Sequence, residues 1–551
     1  MKKLYQAVLF VLLCGLAPLV ANAQSFRVQC PTNTITHPDP GNTGVNNAEP
    51  AYTAPTYTGT QGYSTSGAGH VNGAIKCQQI GGGDGFSTMG DGTQTYMFSF
   101  GPLSGLADIA NGQPGTQFPS VFNAVYPGTF LPGDPATTVQ GNSPNSGPNP
   151  LLGGSFTYNG AVGLVPDADA IANGTCTAPC LDGHVDPRAL IDVGVMNGNI
   201  PAPLFAIDED DEFFLTLSNV GMIMRPDLFE QHTVHFHGYP NASTFYDGVP
   251  DASVAINIGG SFTYYYLAPD AGTYFWHCHI TPPEHLQMGM VGQLYVRPRQ
   301  NRVAAGSSLY DALVAQQGDN RTKCDSTQDI LCSNPLPVLG TPSSAPRAAT
   351  GNYAYNDGDG STYYDVEYPL QIHGFDPNFH FVGMTFNPEQ FNDMKDKYFL
   401  LNGRSYPDTV TPGPLATQTS DGKMHFSQPL PSIISIPAGG RALLRISDLD
   451  VTEYQTLASL GIPMTVIGFN AKLLRDQAGN NMYYSTNSIT LAGGESLDVI
   501  LDTCTDAGHV PGTACAAPLP TGTYYLYTPN LDHLSNDAEN FGGLMTEVHI
   551  N

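Results

Sequence analysis

Apolar residues along this chain recur in short runs, not in long helical stripes. Between residues 85 and 300 they form Tyr96–Phe100 (YMFSF), Phe213–Leu217 (FFLTL), Thr233–His237, Ser261–Leu267 (SFTYYYL), Thr273–Trp276 and Gln293–Val296. Asn219, Gly221, Gly238, Gly259, Gly260 and Pro269 punctuate them. Aromatic and β-branched runs of this length, broken by turn formers, predict the strands of a β-sandwich. A second strand-rich unit is expected over 364–551, through YFLLNGRSYPDT (398–409), IPAGGRALLRISD (436–448), IPMTVIGF (462–469), SLDVILD (496–502) and GTYYLYTP (522–529). The two units share a layout. FFLTLSN parallels ALLRISD, HTVHFHG (232–238) parallels MTVIGFN (464–470), and GTYFWHCH (272–279) parallels GTYYLYTP, an internal repeat of one sandwich. Residues 301–363 read as a linker with a short helix near 309–317, and 24–84 and 103–185 as loop-rich segments with little periodicity. The expected class is all-β, with two Greek-key sandwiches and long loop-rich insertions.

The first residues change the picture of where the chain works. Lys2 and Lys3 precede an apolar run, and Ala21-Asn22-Ala23 is a small-x-small cleavage site. Residues 1–23 therefore read as an export signal, too short for a membrane span, and the protein is expected to be secreted or periplasmic. Only 12% of the 551 residues are charged, while Gly (61) and Pro (45) abound, as in loop-rich extracellular β-proteins. A net charge of −28 argues against a nucleic-acid partner. The acidic run Asp208–Glu212 reads as a solvated turn leading into a strand.

Cysteine parity points to chemistry. Outside the leader, Cys30 with Cys77, Cys176 with Cys180, Cys324 with Cys332 and Cys504 with Cys515 pair by proximity, one choice among ~105. Cys278 is left over, inside a histidine cluster. Six histidines lie in QHTVHFHG and WHCHITPPEHLQMGM. Strand alternation sorts them. His232 and Cys278 face one pocket, whereas His235, His237, His277 and His279 face another. After the Pro282-Pro283 loop, His285 and Met290 complete the first pocket. Two His, one Cys and an axial Met form the trigonal site of blue, type 1 copper. Imidazoles suit a second copper in the other pocket, and Cys278 is bonded on both sides to its ligands. Met222, Met224 and Met288 read as packing, Trp276 as core, and Asp247 either as part of a DG turn or as a group orienting substrate or protons.

These segments resemble the multicopper oxidases and their cupredoxin relatives, which include copper nitrite reductases. The resemblance implies cupredoxin-like domains, with His232, Cys278, His285 and Met290 at type 1 copper. It makes His235, His237, His277 and His279 the catalytic ligands of a type 2 or type 2/3 centre. It also implies one-electron oxidation of a donor, which could be a small molecule, a metal ion or a redox protein, with O2 as acceptor. His235 stands where nitrite reductases carry a catalytic Asp, which argues against nitrite. A trinuclear cluster takes four His from each of two domains. The repeat alignment puts Ile467, Phe469, Tyr527, Thr528 and Pro529 at the matching positions of the second, so that domain is expected to lack copper ligands. Three outcomes stay open: a homo-oligomer joining two first domains, a reduced centre of three or four His with or without His533 from a neighbour, or a mononuclear blue-copper electron-transfer protein without oxidase activity.

Overall fold

The computed structural model describes residues 27–34, 74–124, 159–316, 345–385, 390–418 and 424–551, apart from isolated positions within these ranges. The export signal and the Cys324–Cys332 pair lie outside the described residues.

Among the described residues the first unit has eight strands: β1 (Ile75–Thr88), β2 (Gln94–Pro102), β3 (Phe205–Asp208), β4 (Glu212–Gly221), β5 (His235–Phe236), β6 (Ser261–Leu267), β7 (Gly272–His277) and β8 (Val291–Arg297). They form two sheets, in the orders β2-β1-β4-β6 and β3-β8-β7-β5. Inward side chains alternate along each strand, so Phe213, Leu215 and Leu217 of β4 meet Phe205, Trp276 and Leu294 in one core. Trp276 stacks on Phe205, ring centres 4.6 Å apart, directly behind the histidine strand. The other face of β4 is also covered. Phe214 packs with Val28, Cys30, Phe122 and Leu164 from the loop-rich segments, and the Cys30–Cys77 disulfide fixes that cover to β1. Cys176–Cys180 and Cys504–Cys515 are bonded as expected, and Cys278 is free and buried.

The second unit repeats the plan with β9 (Val366–Phe375), β10 (Tyr398–Leu401), β11 (Ile434–Ile436), β12 (Arg441–Asp448), β13 (Gln455–Leu460), β14 (Met464–Phe469), β15 (Ser488–Leu491), β16 (Ser496–Asp502), β17 (Gly522–Tyr527) and β18 (Met545–Ile550). Its sheets run β10-β9-β12-β16-β14 and β11-β18-β17-β13-β15. The all-β class and the two sandwiches are thus present. The repeat is close where it was read: β7 against β8 and β17 against β18 pair in the same register, each from a glycine at φ +149°.

One part of the repeat reading needs correction. Met464–Phe469 pairs with β16, in the sheet opposite β17. The strand beside β17, and so the counterpart of β5, is β13. The MTVIGF run imitates HTVHFH in its apolar pattern, but hydrogen-bonded neighbours, not pattern, define equivalence. The acidic run is a second correction. Glu209, Asp211 and Glu212 are buried. Glu209 accepts from Ala271 N, Arg299 N and Asn356 Nδ2, Asp211 from Ala74 N, and Glu212 from the Tyr265 hydroxyl. These carboxylates satisfy backbone donors where strands and linker begin, which is why they are inside.

The units meet through β7 and β8 against β12 and β16. Thr273 Oγ1 donates to Asp498 (2.6 Å), Ser496 Oγ to Thr273 O (2.6 Å), and Gln293 Nε2 to Arg445 O and Ser447 Oγ. Glu367 lies between Arg297 and Arg445; burial alone would raise its carboxyl, but the two guanidiniums hold it down at about 2. The linker helix is Leu309–Gln316.

Candidate metal centre

Strand pairing builds the site. β5 lies antiparallel to β7, with His235 opposite His277 and Phe236 opposite Trp276. Cys278 follows β7 directly. The chain then turns at Thr281, held at φ +36°, and Pro282-Pro283 start a helix, Pro282–Gln287. Proline suits a first helical turn because its missing N–H is not needed there. Cys278 N donates to Met290 O (3.0 Å) and Met290 N to His285 O (2.8 Å), which closes the loop on itself. His232 is fixed by a backbone bridge to Ile256.

This arrangement brings the donor atoms of His232, Cys278 and His285 within 4.8 Å of one another, all fully buried. His285 Nδ1 is 3.2 Å from Cys278 Sγ, and Thr233 N donates to that sulfur at 3.4 Å. Met290 is buried in the same core cluster. Neither ring nitrogen of His232 has a hydrogen-bond partner. A buried imidazole left so costs about 1–3 kcal/mol, which a metal bond would remove. Burial resists charge on Cys278, but His285 and His232 beside it pull the thiol well below its ordinary value. Burial likewise opposes charge on His285, yet the neighbouring thiolate raises it to about 10. The pocket therefore favours thiolate, the metal-ligating form. Two imidazoles and a thiolate so placed fit copper.

Two residues of this pocket were missed in the sequence. Glu230 Oε2 lies 3.8 Å from His285 Nε2 at the side facing the surface. Gly82 of β1 passes so close to His232 that a Cβ there would sit 2.5 Å from the ring carbon Cδ2. A glycine inside a strand often marks such an approach, and the GGGDG run was that signal.

The second group is its mirror across the two strands. His235, His237 and His277 place donor atoms within 4.8 Å of one another. His279 joins them, its ring 5.1 Å from that of His235 and 5.4 Å from that of His277. His237 Nε2 and His277 Nε2 are 2.9 Å apart. The far ring nitrogens meet backbone: His235 Nδ1 lies 2.6 Å from Asp247 O, and His277 Nδ1 2.6 Å from Cys278 O. His237 bonds the Gly494 backbone of the second unit. Such outer bonds orient the free nitrogen of a metal-ligating imidazole. Burial, then the neighbouring His235 and His279, hold His237 down at about 4, so it is neutral at working pH. Asp247 lies in the DG turn beside His235. Gly248 at φ +81° lets the turn pass Val234 O, and the turn delivers Asp247 O to His235.

The second unit offers no matching imidazoles. Ala458 and Leu460 of β13 hold the positions of His235 and His237, and Tyr527, Thr528 and Pro529 those of His277, Cys278 and His279. His533 is committed within its own unit. It is buried, stacked on Phe399 (3.8 Å) and bonded to Gln455 and Glu453, so it is not presented to a neighbour. Met222 and Met288 pack in the core.

Comparison with known proteins agrees with this geometry. Residues 183–301 match the multicopper oxidase family. Over these residues the chain is similar to multicopper oxidases. Laccase abr2 of Aspergillus fumigatus is 33% identical over 118 residues, 21% of this chain and 19% of that protein. Multicopper oxidase MmcO of Mycobacterium tuberculosis is 32% identical over 133 residues, 22% of this chain and 25% of its own. L-ascorbate oxidase of Cucumis sativus is 32% identical over 113 residues, 19% of this chain and 17% of its own. The matched stretch thus spans a quarter or less of these relatives. Among solved structures, a blue copper oxidase from Nitrosomonas europaea aligns over 64% of this chain and 78% of its own, at 19% identity and a TM-score of 0.41.

Proposed function

We propose that the chain is an exported copper-dependent oxidoreductase of the multicopper oxidase type. The observation that carries this is the pairing of a buried imidazole–thiolate–imidazole triad, one imidazole unpartnered, with a three-imidazole group flanked by His279 on the opposite side of the same two strands. His232, Cys278, His285 and Met290 would hold a type 1 copper, and His235, His237, His277 and His279 a further type 2 or type 2/3 centre. Copper supplies one-electron redox chemistry to both. The protein's part is positional. Cys278 is covalently bonded to His277 and His279, so an electron leaving its sulfur reaches either imidazole through the backbone of three consecutive residues. Glu230 sets a negative charge at the outer edge of His285, where a donor would approach. The donor (small molecule, metal ion or redox protein) gives up single electrons, and four of them with four protons reduce O2 to water. The three disulfides among the described residues fit an oxidising compartment, and no described helix is long and apolar enough to cross a membrane.

The absence of imidazoles at Ala458, Leu460, Tyr527 and Pro529 favours a second reading, a mononuclear blue-copper electron-transfer protein. Copper count, solution mass and oxygen uptake separate the two. An oxidase is blue, carries more than one copper per chain and consumes O2 with a donor, and His237→Ala loses only the extra metal. One copper per chain without oxygen uptake leaves electron transfer alone.

A further inference from the structure

The second unit holds the copper loop although it supplies no ligand. The helix Pro282–Gln287 carries His285 and leads to Met290; at its C-terminal end Leu286 O accepts from Gly289 N alone (3.0 Å) within the backbone, and Gln287 O has no backbone donor. Two buried histidines of the second unit reach them. His373, on β9, donates through Nε2 to Leu286 O (2.9 Å). His380, on the helix Pro377–Met384, places Nε2 2.9 Å from Gln287 O and Nδ1 2.6 Å from Tyr96 O of β2. Its ring stacks on Phe375 at 3.6 Å, which fixes its plane. The Gln287 side chain is held as well, donating to Asp396 Oδ1 (3.0 Å) and accepting from Asp376 N (3.0 Å). Phe98, two residues beyond Tyr96 on β2, sets its ring edge-on to His285 at 5.2 Å. The neutral His380 ring thus lies between the helix bearing the ligand and the strand that packs on it, donating its single N–H to one of these two carbonyls.

We propose that His373 and His380 are positioning residues of the type 1 site, fixing the carbonyls of the ligand-loop helix from the second unit. The proposal rests on the copper assignment above. Both imidazoles are fully buried, and both contacts cross from one unit to the other. A ligand loop that swings freely opens the trigonal geometry of His232, Cys278 and His285. A clamped one keeps it whether or not metal is bound. Removing outer partners of metal ligands typically costs about 10–100-fold in affinity.

The test uses the full-length copper-loaded protein with His373→Ala and His380→Ala, and with His373→Gln and His380→Gln, which keep an N–H donor. Copper affinity, the blue thiolate absorption, its electron paramagnetic resonance spectrum and the reduction potential are read in each. The alanine variants should lose roughly tenfold or more in copper affinity, with an altered blue spectrum and a shifted potential. The glutamine variants should recover most of both. Alanine variants with wild-type affinity, spectrum and potential overturn the proposal. If they do not fold, His373→Leu and His380→Leu, which fill the space of each ring without an N–H donor, are read in the same way, and an unmoved spectrum overturns it equally. A wild-type protein that binds no blue copper defeats the copper assignment itself, whereas a blue wild type with unmoved variants defeats only the clamp.

Discussion

Gly82→Ala isolates the packing of one ligand. A Cβ at this position would lie 2.5 Å from His232 Cδ2 and 3.3 Å from its Cγ and Nε2. Carbon atoms rest at about 3.5–4.0 Å, so the overlap is about 1–1.5 Å. His232 is enclosed, its backbone bridged to Ile256 and its ring set against Phe100 and His285. The ring must therefore tilt or β1 must bow. Overpacking of this kind costs roughly 1–3 kcal/mol, seen as a lower urea midpoint. The effect on the metal is larger, because ligand distances hold only within about 0.2 Å. A shift of an ångström removes one of three strong ligands. The expected outcome is a folded protein whose blue absorption is lost or greatly weakened while the four-imidazole copper remains. Gly508→Ala is the control, since its nearest neighbour would be Asp506 Oδ1 at 3.6 Å. A Gly82→Ala protein with wild-type blue absorption would refute the placement of His232.

Other outcomes follow from the same geometry. Met290→Leu should keep the blue colour and move the reduction potential, since the axial ligand tunes it; an unchanged potential in voltammetry counts against Met290 as the axial group. Asp84, a buried carboxyl raised to about 7 from its ordinary 3.8, favours the protonated form in the folded chain. Its contribution is fully present below pH ~4 and is lost as pH rises through about 7, on the order of 4 kcal/mol. Asp84→Asn should flatten that decline in thermal melts, and a slope equal to wild type would count against it. Joint replacement of Cys30 and Cys77 by Ala removes a bridge between positions 47 apart, worth about 4 kcal/mol by chain entropy. An unmoved urea midpoint would show that the N-terminal cover is held by packing alone.

Much of the site could be read from sequence because its geometry is local. His235 and His237 alternate with Phe236, and His277 and His279 flank Cys278, so strand parity sorts them without knowledge of the fold. His285 could be placed because the Pro-Pro loop returns it to the Cys278 sulfur. What stayed hidden was long-range. β1 was not recognised because IKCQQIGGGDGFST lacks the β-branched pattern of a strand. Its glycines are there for the ring of His232 and the backbone of Gly198, partners more than a hundred residues away. The acidic run looked solvated because its bonding partners, Ala74, Ala271, Arg299 and Asn356, are scattered along the chain. β14 was mistaken for the partner of β17 because an apolar alternation does not say which sheet a strand joins.

The clamp from β9 and the following helix also sets an order of events. A chain made from its N-terminus presents all four proposed type 1 ligands by residue 290, yet His373 and His380 come some eighty residues later. Until they dock, Cys278 is an uncovered cysteine while Cys30 and Cys77 pair, and it can be drawn into a wrong disulfide. Metal capture is then a late step, after the second sandwich has closed. A chain cut after residue 300 should let Cys278 react with an alkylating reagent that the full-length protein excludes.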